Sequence, residues 1–359
     1  MWLIYLLWLQ CPDFQASSTN LSVQDQQLSE ISGLVYSQLN PQIIWVHNDS
    51  GGEPSVFALN AFGSTAAVLH LDIPAITDVE DIATGYLSAA HHQVLFLGDI
   101  GDNDAVRSSI AIYMVAEPVV YPCQDAAGPF EVTLTPTAFH LTYPDGARDA
   151  ETLLFDPQNE ELFVVSKRDF PVGRLYRVPK PWVPDENMEL EYLLDISVAF
   201  PVGGDVSHDG SQIVVKNYMQ PFSDHAYLWF RSAGTDLWEA FSASPCSLPL
   251  IQEPQGEAIG FNPFSGGYAT ISEGLYPAVH CFDRTQPNDF DVLPAQFPGD
   301  FNSDSLVDDF DQLILISHWL EKTPDIQPEH DLIQDESIHV LDFVCHVNLE
   351  EQAECFNFQ

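Results

Sequence analysis

Short apolar runs separated by glycine, proline, asparagine and aspartate fill most of the chain, from about residue 29 to residue 284. Runs of this length bounded by turn formers are typical of β-strands. An amphipathic helix would instead show apolar residues at every third or fourth position over several turns, and this region has no such pattern. The pattern therefore predicts an all-β domain.

The strand pattern also recurs along this region. Five units each begin with an acidic or small polar residue, followed by an apolar strand, a turn, a second strand with a polar end, and a third strand. They begin at Ser32, Glu80, Glu151, Asp205 and Glu257. A spacing of roughly 50 residues is close to that of propeller repeats, and only the step from Glu80 to Glu151 is much longer.

The repeat favours a β-propeller, in which each four-stranded sheet forms one blade. A β-sandwich would leave the recurring strand–turn–strand unit unexplained. The long step contains FEVTLTPTAFHLTY, which is either an insertion or most of a further blade. The predicted fold class is thus an all-β propeller of five or six blades.

The acidic residues at the strand starts are the first candidates for chemistry. The first strand of each propeller blade lines the central channel, so these carboxylates would converge there with polar residues from the ends of the second strands. Such carboxylates repel each other unless a cation or raised pKa values relieve them. Oxygen ligands without paired cysteine or histidine favour calcium. The predicted channel ligands are Asp49, Glu80, Asp81, Asp99 and Asp205. Aspartate and asparagine are also common turn formers, which is the alternative explanation for several of them.

A second calcium motif follows the strand region, in GDFNSDSLVDDFDQLILISHWL. Oxygen ligands occur there at loop positions one, three, five, seven, nine and twelve, which is the spacing of an EF-hand loop. The ligands are Asp300, Asn302, Asp304, the backbone carbonyl of Leu306, Asp308 and Asp311. The segment DLIQDESIHVLDF repeats the pattern in degraded form, with Asp331, Asp335 and Asp342 at positions one, five and twelve. A solvated acidic tail is the alternative.

Two resemblances follow from these motifs. The region 297–349 resembles a type I dockerin, a small α-helical EF-hand-like module that binds calcium and attaches to a cohesin-like partner. The motifs NDSG, VEDIA, GDIGDN, the DAE of ARDAETLL and GEAIGF resemble exported bacterial β-propellers of the phytase-like and esterase-like kind, whose acidic channels bind calcium. This second resemblance implies the fold and calcium as cofactor, but not a particular activity.

Charge and targeting signals limit the surroundings. Eleven basic against 53 acidic residues give a formal net charge of −42, which disfavours nucleic acid and anionic membranes and attracts divalent cations. The start MWLIYLLWLQ is too short to span a bilayer and resembles the apolar part of a signal peptide. We therefore expect export to the cell exterior or surface, with no integral membrane segment after signal cleavage.

Six cysteines accompany this export signal. Cys246 with Cys281 and Cys345 with Cys355 are candidate disulfides, with free buried thiols as the alternative. The expected domain order is a signal peptide at 1–16, an N-terminal segment at 17–28, the propeller at 29–284, a closing strand or linker at 285–296, the dockerin-like module at 297–349 and a tail at 350–359.

Two functions remain open at this stage. The first is recognition of a ligand at the calcium-binding channel, with the dockerin-like module as attachment. The second is hydrolysis of a phosphate ester or polysaccharide, with Glu151 or Glu257 as base and Lys167 holding an anion. Basic residues cluster around Lys167, which either serves such an anion or neutralises local carboxylates. Ser50 and Ser272 lack the flanking glycines of a nucleophile elbow, so no sequence motif supports a serine hydrolase as a third function.

Overall fold

Five sheets arranged around one axis make up the described part of the chain. The structure, a computed structural model, describes residues 11–16, 21–49, 52–73, 76–120, 128–219 and 224–285. Strands are numbered along the chain, and two short ones precede the first blade, β1 (Phe14–Ala16) and β2 (Leu21–Ser22). Within these residues the architecture is a five-bladed β-propeller.

The first two blades each carry a fifth strand, added in parallel at the outer edge. Blade 1 consists of β3 (Ile31–Tyr36), β4 (Ile44–Asn48), β5 (Ser55–Leu59), β6 (Thr65–Leu71) and the added β10 (Phe130–Leu134). Blade 2 consists of β7 (Val79–Leu87), β8 (His92–Asp99), β9 (Ile110–Ala116), β11 (Thr137–Thr142) and the added β15 (Asn187–Glu189).

Blades 3 and 4 have four strands in antiparallel order, and blade 5 has three strands to which β1 and β2 are added. Blade 3 consists of β12 (Ala150–Asp156), β13 (Glu161–Ser166), β14 (Gly173–Arg177) and β16 (Glu191–Ile196). Blade 4 consists of β17 (Pro201–Val206), β18 (Gln212–Asn217), β19 (Ala226–Phe230) and β20 (Cys246–Leu248), with a short 3-10 helix, Leu237–Ser242, before β20. Blade 5 consists of β21 (Gly256–Phe261), β22 (Tyr268–Ser272) and β23 (Ala278–Arg284), and β1 and β2 both pair with β23.

The five innermost strands close the ring. β3 contacts β7, β7 contacts β12, β12 contacts β17, β17 contacts β21, and β21 returns to β3. At the outside, β1 pairs antiparallel with the last strand, from Phe14↔Arg284 to Ala16↔Phe282. The N-terminal segment therefore supplies the outer strand of the last blade and links the two ends of the ring.

The core is a set of five apolar layers, one at each interface between neighbouring blades. Each inner blade strand buries both faces, because a blade has a neighbour on either side. In β4, for example, Trp45 packs toward blade 2 and Val46 toward blade 5. Strands buried on both faces read as continuous apolar runs. This is why the sequence shows short apolar runs and not a clean alternation.

A disulfide reinforces the closure. Cys11, three residues before β1, is bonded to Cys246 at the start of β20, so it ties the N-terminal segment to the neighbouring blade 4. The expected pairing of Cys246 with Cys281 is therefore wrong, and Cys281 takes part in a different disulfide. The sequence could not reveal this because the two bonded cysteines are 235 residues apart.

Two further expectations change. The segment expected to be either an insertion or most of a further blade is divided between existing sheets, since β10 extends blade 1 and β11 is the fourth strand of blade 2. The closing strand comes from residues 14–16, so a signal cleavage near Ala16 would remove it.

Of the helices that the structure describes, none has the length and apolar character to cross a membrane. The dockerin-like module predicted at 297–349 lies outside the described residues.

Breaking the Cys11–Cys246 bond should destabilise the ring. Cys11→Ser is expected to lower the free energy of unfolding by about 2–4 kcal/mol, the usual contribution of a native disulfide. Denaturant unfolding of the oxidised protein measures it. Because Cys246→Ser removes the same bond, the single variants and the double variant should be equally destabilised. Additive losses would contradict a shared bond.

Candidate metal centre

Each innermost strand contains a β-bulge at the same place. The pairing register skips one residue there, so that a single extra residue stands between two paired ones. Such a bulge redirects a side chain out of the regular alternation. The extra residues are Ser32, Glu80, Glu151, Val202 and Glu257. Three of the five positions are therefore occupied by glutamates.

A ring of backbone hydrogen bonds lies beside the bulges. In every blade, a residue one or two positions after the second strand donates its N–H to the carbonyl of the residue two positions before the bulge, at 2.8–3.2 Å. The donors are Asp49, Gly101, Lys167, Tyr218 and Glu273, and the acceptors are Glu30, Asp78, Asp149, Phe200 and Gln255. This repeated bond brings the start of the first strand and the end of the second to one end of the channel.

Carboxyl groups from four blades converge at this end. Asp49, Asp78 and Glu80 form one group, and Glu80, Asp149 and Glu151 form another; within each, one oxygen per residue lies within 4.8 Å of the others. Glu80 belongs to both groups and therefore stands between two candidate metal positions. Glu257 and Glu273 of blade 5 are close enough to act on the charge of Asp49. We call Asp49, Asp78, Glu80, Asp149, Glu151, Glu257 and Glu273 the acidic cluster.

The acidic cluster resists ionisation. Burial, and then repulsion from Glu151, Asp49 and Asp78, raise the pKa of Glu80 well above its usual value. Burial raises the pKa of Glu151 to about 8, and burial with Asp78 raises that of Asp49 to about 7. Two carboxylates about 5 Å apart repel by roughly 3 kcal/mol at an effective dielectric constant of 20. The cluster therefore favours either bound protons or a bound cation.

Two basic side chains partly neutralise the cluster. The Lys167 ammonium contacts the Glu151 carboxylate and lies 3.9 Å from Glu257. Arg168 donates from Nε to Asp149 at 2.5 Å. Although burial lowers it, Glu151 and Glu257 raise the pKa of Lys167, so this side chain stays charged. Two cations against seven carboxyl groups leave the site strongly acidic.

The GDIGDN loop shapes the space around Glu80. A Cβ atom on Gly101 would lie 2.3 Å from Glu80 Oε1 and 2.5 Å from Asp78 Oδ2. Only glycine leaves room for these oxygens. Asp99, predicted as a metal ligand, instead accepts the N–H groups of Thr77 and Asp78 at 3.2 and 3.0 Å and pairs with Arg107 at 2.8 Å. It positions Asp78 and lies outside the two groups of converging carboxyls.

Asp81 and Asp205 also act differently from the expected channel ligands. Asp81 is fully buried and accepts backbone N–H groups from Ile82, from Leu153 in blade 3 and from Gly204 in blade 4. Asp205 accepts N–H groups from Val206 and from Phe261 in blade 5. Each carboxyl links the backbones of different blades. Asp81 follows Glu80 directly, but the bulge sends the two side chains in different directions.

The structure brings five of the predicted site residues together. Asp49, Glu80, Glu151, Glu257 and Lys167 come together as expected. In blade 4, Lys216 forms a buried ion pair with Glu253 at 2.6 Å, and its charge acts to lower the pKa of Glu257, which burial raises. Tyr218 occupies the position in blade 4 that corresponds to Lys167.

Asp78 was not predicted as a site residue, although a sequence pattern marks its position. Asp78–Val79–Glu80 in blade 2 and Asp149–Ala150–Glu151 in blade 3 share an acid-x-Glu pattern at equivalent positions. The ligands predicted in the C-terminal loops, from Asp300 to Asp342, lie outside the described residues.

Comparisons with known proteins add little to this geometry. No protein-family model matches the chain, and no curated protein matches it. Among solved structures, the chain is similar to the β-propeller domain of Cps50 (Swd1) from Myceliophteria thermophila, with 13% identity and a TM-score of 0.38 over 76% of this chain and all of that domain. At this distance no function is carried over.

The raised pKa values predict how stability depends on pH when no metal is bound. Glu151, Asp49 and Glu273 have pKa values of about 8, 7 and 7 in the folded protein, against about 4 in an unfolded chain. The folded state therefore binds more protons between these values, and its stability falls as pH rises. In chelator, we expect the melting temperature to drop by roughly 2 °C or more from pH 5.5 to 8. Glu151→Gln should flatten this slope, and a melting temperature that rises over the range would contradict the assignment.

Proposed function

We propose that the protein is an exported, calcium-binding β-propeller that recognises an oxygen-rich ligand at the acidic cluster. The observation that carries this proposal is the sharing of Glu80 between two groups of three converging carboxyls. Structural turns alone do not account for it, because the bulges aim Glu80, Glu151 and Glu257 into one space.

The donor set supports calcium over other metals. Both groups consist of carboxylates alone, with no histidine or cysteine. Hard oxygen donors suit calcium or magnesium, whereas zinc and copper select nitrogen or sulfur. Calcium takes six to eight oxygens in flexible geometry, so Asp49, Asp78 and Glu80 would leave coordination positions for a ligand. The second group, which consists of Glu80, Asp149 and Glu151, would hold a second ion, provided that one carboxylate oxygen of Asp149 turns from Arg168 to the ion.

Bound calcium would also reverse the electrostatics of the site. Without it, an anionic ligand meets a strongly acidic cluster whose two cations already contact carboxylates. With one or two divalent ions in place, phosphate, carboxylate or hydroxyl oxygens complete the coordination, and Lys167 is available to an anion. Recognition is therefore expected to require the metal first.

The C-terminal region gives the expected attachment. We infer that Asp300, Asn302, Asp304, Leu306, Asp308 and Asp311 hold one calcium ion in a dockerin-like module, with Asp331, Asp335 and Asp342 as a degraded second loop. Its partner would be a cohesin-like or cell-surface protein.

A calcium-dependent hydrolase of phosphate esters or polysaccharide is the second candidate. The specific observation in its favour is the place of Lys167, which lies inside the cluster within reach of Glu151 and Glu257. Calcium would supply charge stabilisation and an activated water. Glu151, with its pKa raised to about 8, would accept a proton, and Lys167 would orient the anion.

Calcium titration of the metal-free chain tests the proposed site. Glu80→Gln should abolish binding of the channel ions, because it removes the shared ligand, and it should leave the C-terminal ion in place. Asp300→Ala should do the reverse. Isothermal titration with metal content per chain measures both. If Glu80→Gln keeps the full number of ions, the acidic cluster is not the metal centre.

Two glycines of the GDIGDN loop provide a matched steric test. Gly101→Ala should weaken calcium binding at least tenfold, since its methyl group would overlap Glu80 and Asp78. Gly98→Ala is the control, because a Cβ there lies 3.2 Å from the Ile100 side chain and touches no cluster oxygen. Equal affinities in the two variants would argue against a metal between these carboxyls.

Enzyme assays separate the two functions. A hydrolase should release phosphate or reducing sugar with calcium, stop in chelator, and lose most of its rate in Lys167→Met. Calcium binding without turnover on either substrate class leaves ligand recognition as the function.

A further inference from the structure

A cavity of about 370 Å³ opens at the same end of the propeller and borders the acidic cluster at Asp49. β4 and β5 pair only as far as Val46↔Phe57, and beyond this pair the two strands separate. The cavity lies at this fork in blade 1, since its lining includes Asn48 and Asp49 on one side and Ser55 on the other. Apolar side chains of both neighbouring layers form its walls: Phe57, Val68, Ile76, Val79 and Leu97.

Three polar side chains on the outer wall form a hydrogen-bonded chain. Ser55 on β5 and His70 on β6 are cross-strand partners, and Ser55 Oγ lies 3.1 Å from His70 Nδ1. His70 Nε2 lies 3.4 Å from Glu131 Oε2 on β10, the strand added to blade 1. All three residues line the cavity. The order is hydroxyl, imidazole and carboxylate, from the inner wall outward.

The carboxylate favours the imidazole tautomer that can activate the serine, although Glu131 is 62% exposed. Glu131 can only accept, so Nε2 carries the proton and Nδ1 presents its lone pair to the Ser55 hydroxyl. A nucleophile bonded to a base, with the base oriented by a third group, is the arrangement of nucleophilic acyl transfer. We propose that Ser55 is an activated nucleophile, that His70 is its general base with Glu131 as positioning residue, and that the site accepts esters with a small apolar acyl group.

The reaction balances without a further reagent. Ser55 Oγ bonds to the ester carbonyl carbon and its proton passes to His70 Nδ1, while Glu131 stabilises the imidazolium. The carbon–oxygen bond to the leaving group then breaks, and the departing alkoxide takes the proton from Nδ1. Water attacks the acyl-serine with Nδ1 as base, which releases the acid and restores Ser55. An acyl group of a few carbons fits the apolar walls of the cavity.

No local sequence motif marks this group of three residues. Ser55, His70 and Glu131 lie on three different strands. Glu131 reaches the other two because β10 pairs in parallel with β6, although β7, β8 and β9 of blade 2 separate these two strands in the sequence. No flanking glycine marks the serine.

Reaction of the full chain with a fluorophosphonate probe tests the proposal. The probe bonds phosphorus to an activated serine oxygen and releases fluoride. Peptide mapping by mass spectrometry should find the adduct on Ser55, and none on the exposed Ser232, in calcium and in chelator alike. Hydrolysis of p-nitrophenyl acetate should fall to the solution background in Ser55→Ala.

Variants of His70 and Glu131 distinguish a chemical role of these residues from a purely structural one. His70→Gln should slow labelling about 100-fold or more, which is typical of a lost general base. Glu131→Ala should slow labelling because it removes the acceptor that orients His70, whereas Glu131→Gln keeps an acceptor oxygen and should retain most of the rate. Ser55→Cys keeps a nucleophile and should be alkylated by iodoacetamide with the same dependence on His70. Absence of an adduct on Ser55 in the folded protein, or a labelling rate unchanged in His70→Gln, would overturn the proposal. Failure of the calcium experiments would leave it standing, because the relay contains no metal ligand.

Discussion

One extra residue in each innermost strand is the constraint on which the candidate site depends. A regular strand would alternate its side chains between the two neighbouring blades, and an acidic residue there would be buried in an apolar layer. The bulge removes one residue per blade from this alternation and directs it along the channel instead. Where that residue is Glu80, Glu151 or Glu257, charge accumulates at the ring axis; where it is Ser32 or Val202, the ring of charge is interrupted. The asymmetry of the site thus comes from which side chain each repeat places at one equivalent position.

The surrounding fold can tolerate this repulsion because its own stability comes from elsewhere. Five apolar layers hold the blades together, and large side chains such as Trp45 and Trp229 are completely enclosed in them. Buried side chains of this kind each contribute about 1.5–3 kcal/mol. Asp81 and Asp205 add polar links between the backbones of different blades. Carboxyl groups therefore have two tasks: Asp81 and Asp205 satisfy backbone N–H groups between blades, whereas the acidic cluster gathers carboxyls at one end of the channel.

The sequence was sufficient for the architecture and for part of the site. Apolar runs and repeated acidic starts predicted a propeller, five blade origins close to the observed ones, and the meeting of Asp49, Glu80, Glu151, Glu257 and Lys167. It could not separate Glu80 from its neighbour Asp81, because a bulge is a property of strand pairing and not of residue type. Asp205 looked equivalent to Glu80, yet Val202 occupies that position. Blade 4 simply lacks an acid there. The cysteine pairing and the outer strands β10 and β1 depend on contacts between distant segments, which no local pattern encodes.

The use of β1 as the last strand of blade 5 sets the order in which the molecule can be assembled. Its partner β23 is the final strand of the described chain, so residues 14–16 have no place to bind until about 270 later residues have been made. Until then β1 and the outer edge of the last blade both stay unpaired. Closure of the ring by β1 therefore cannot precede the synthesis of β23, and the Cys11–Cys246 bond then ties the closing segment to blade 4.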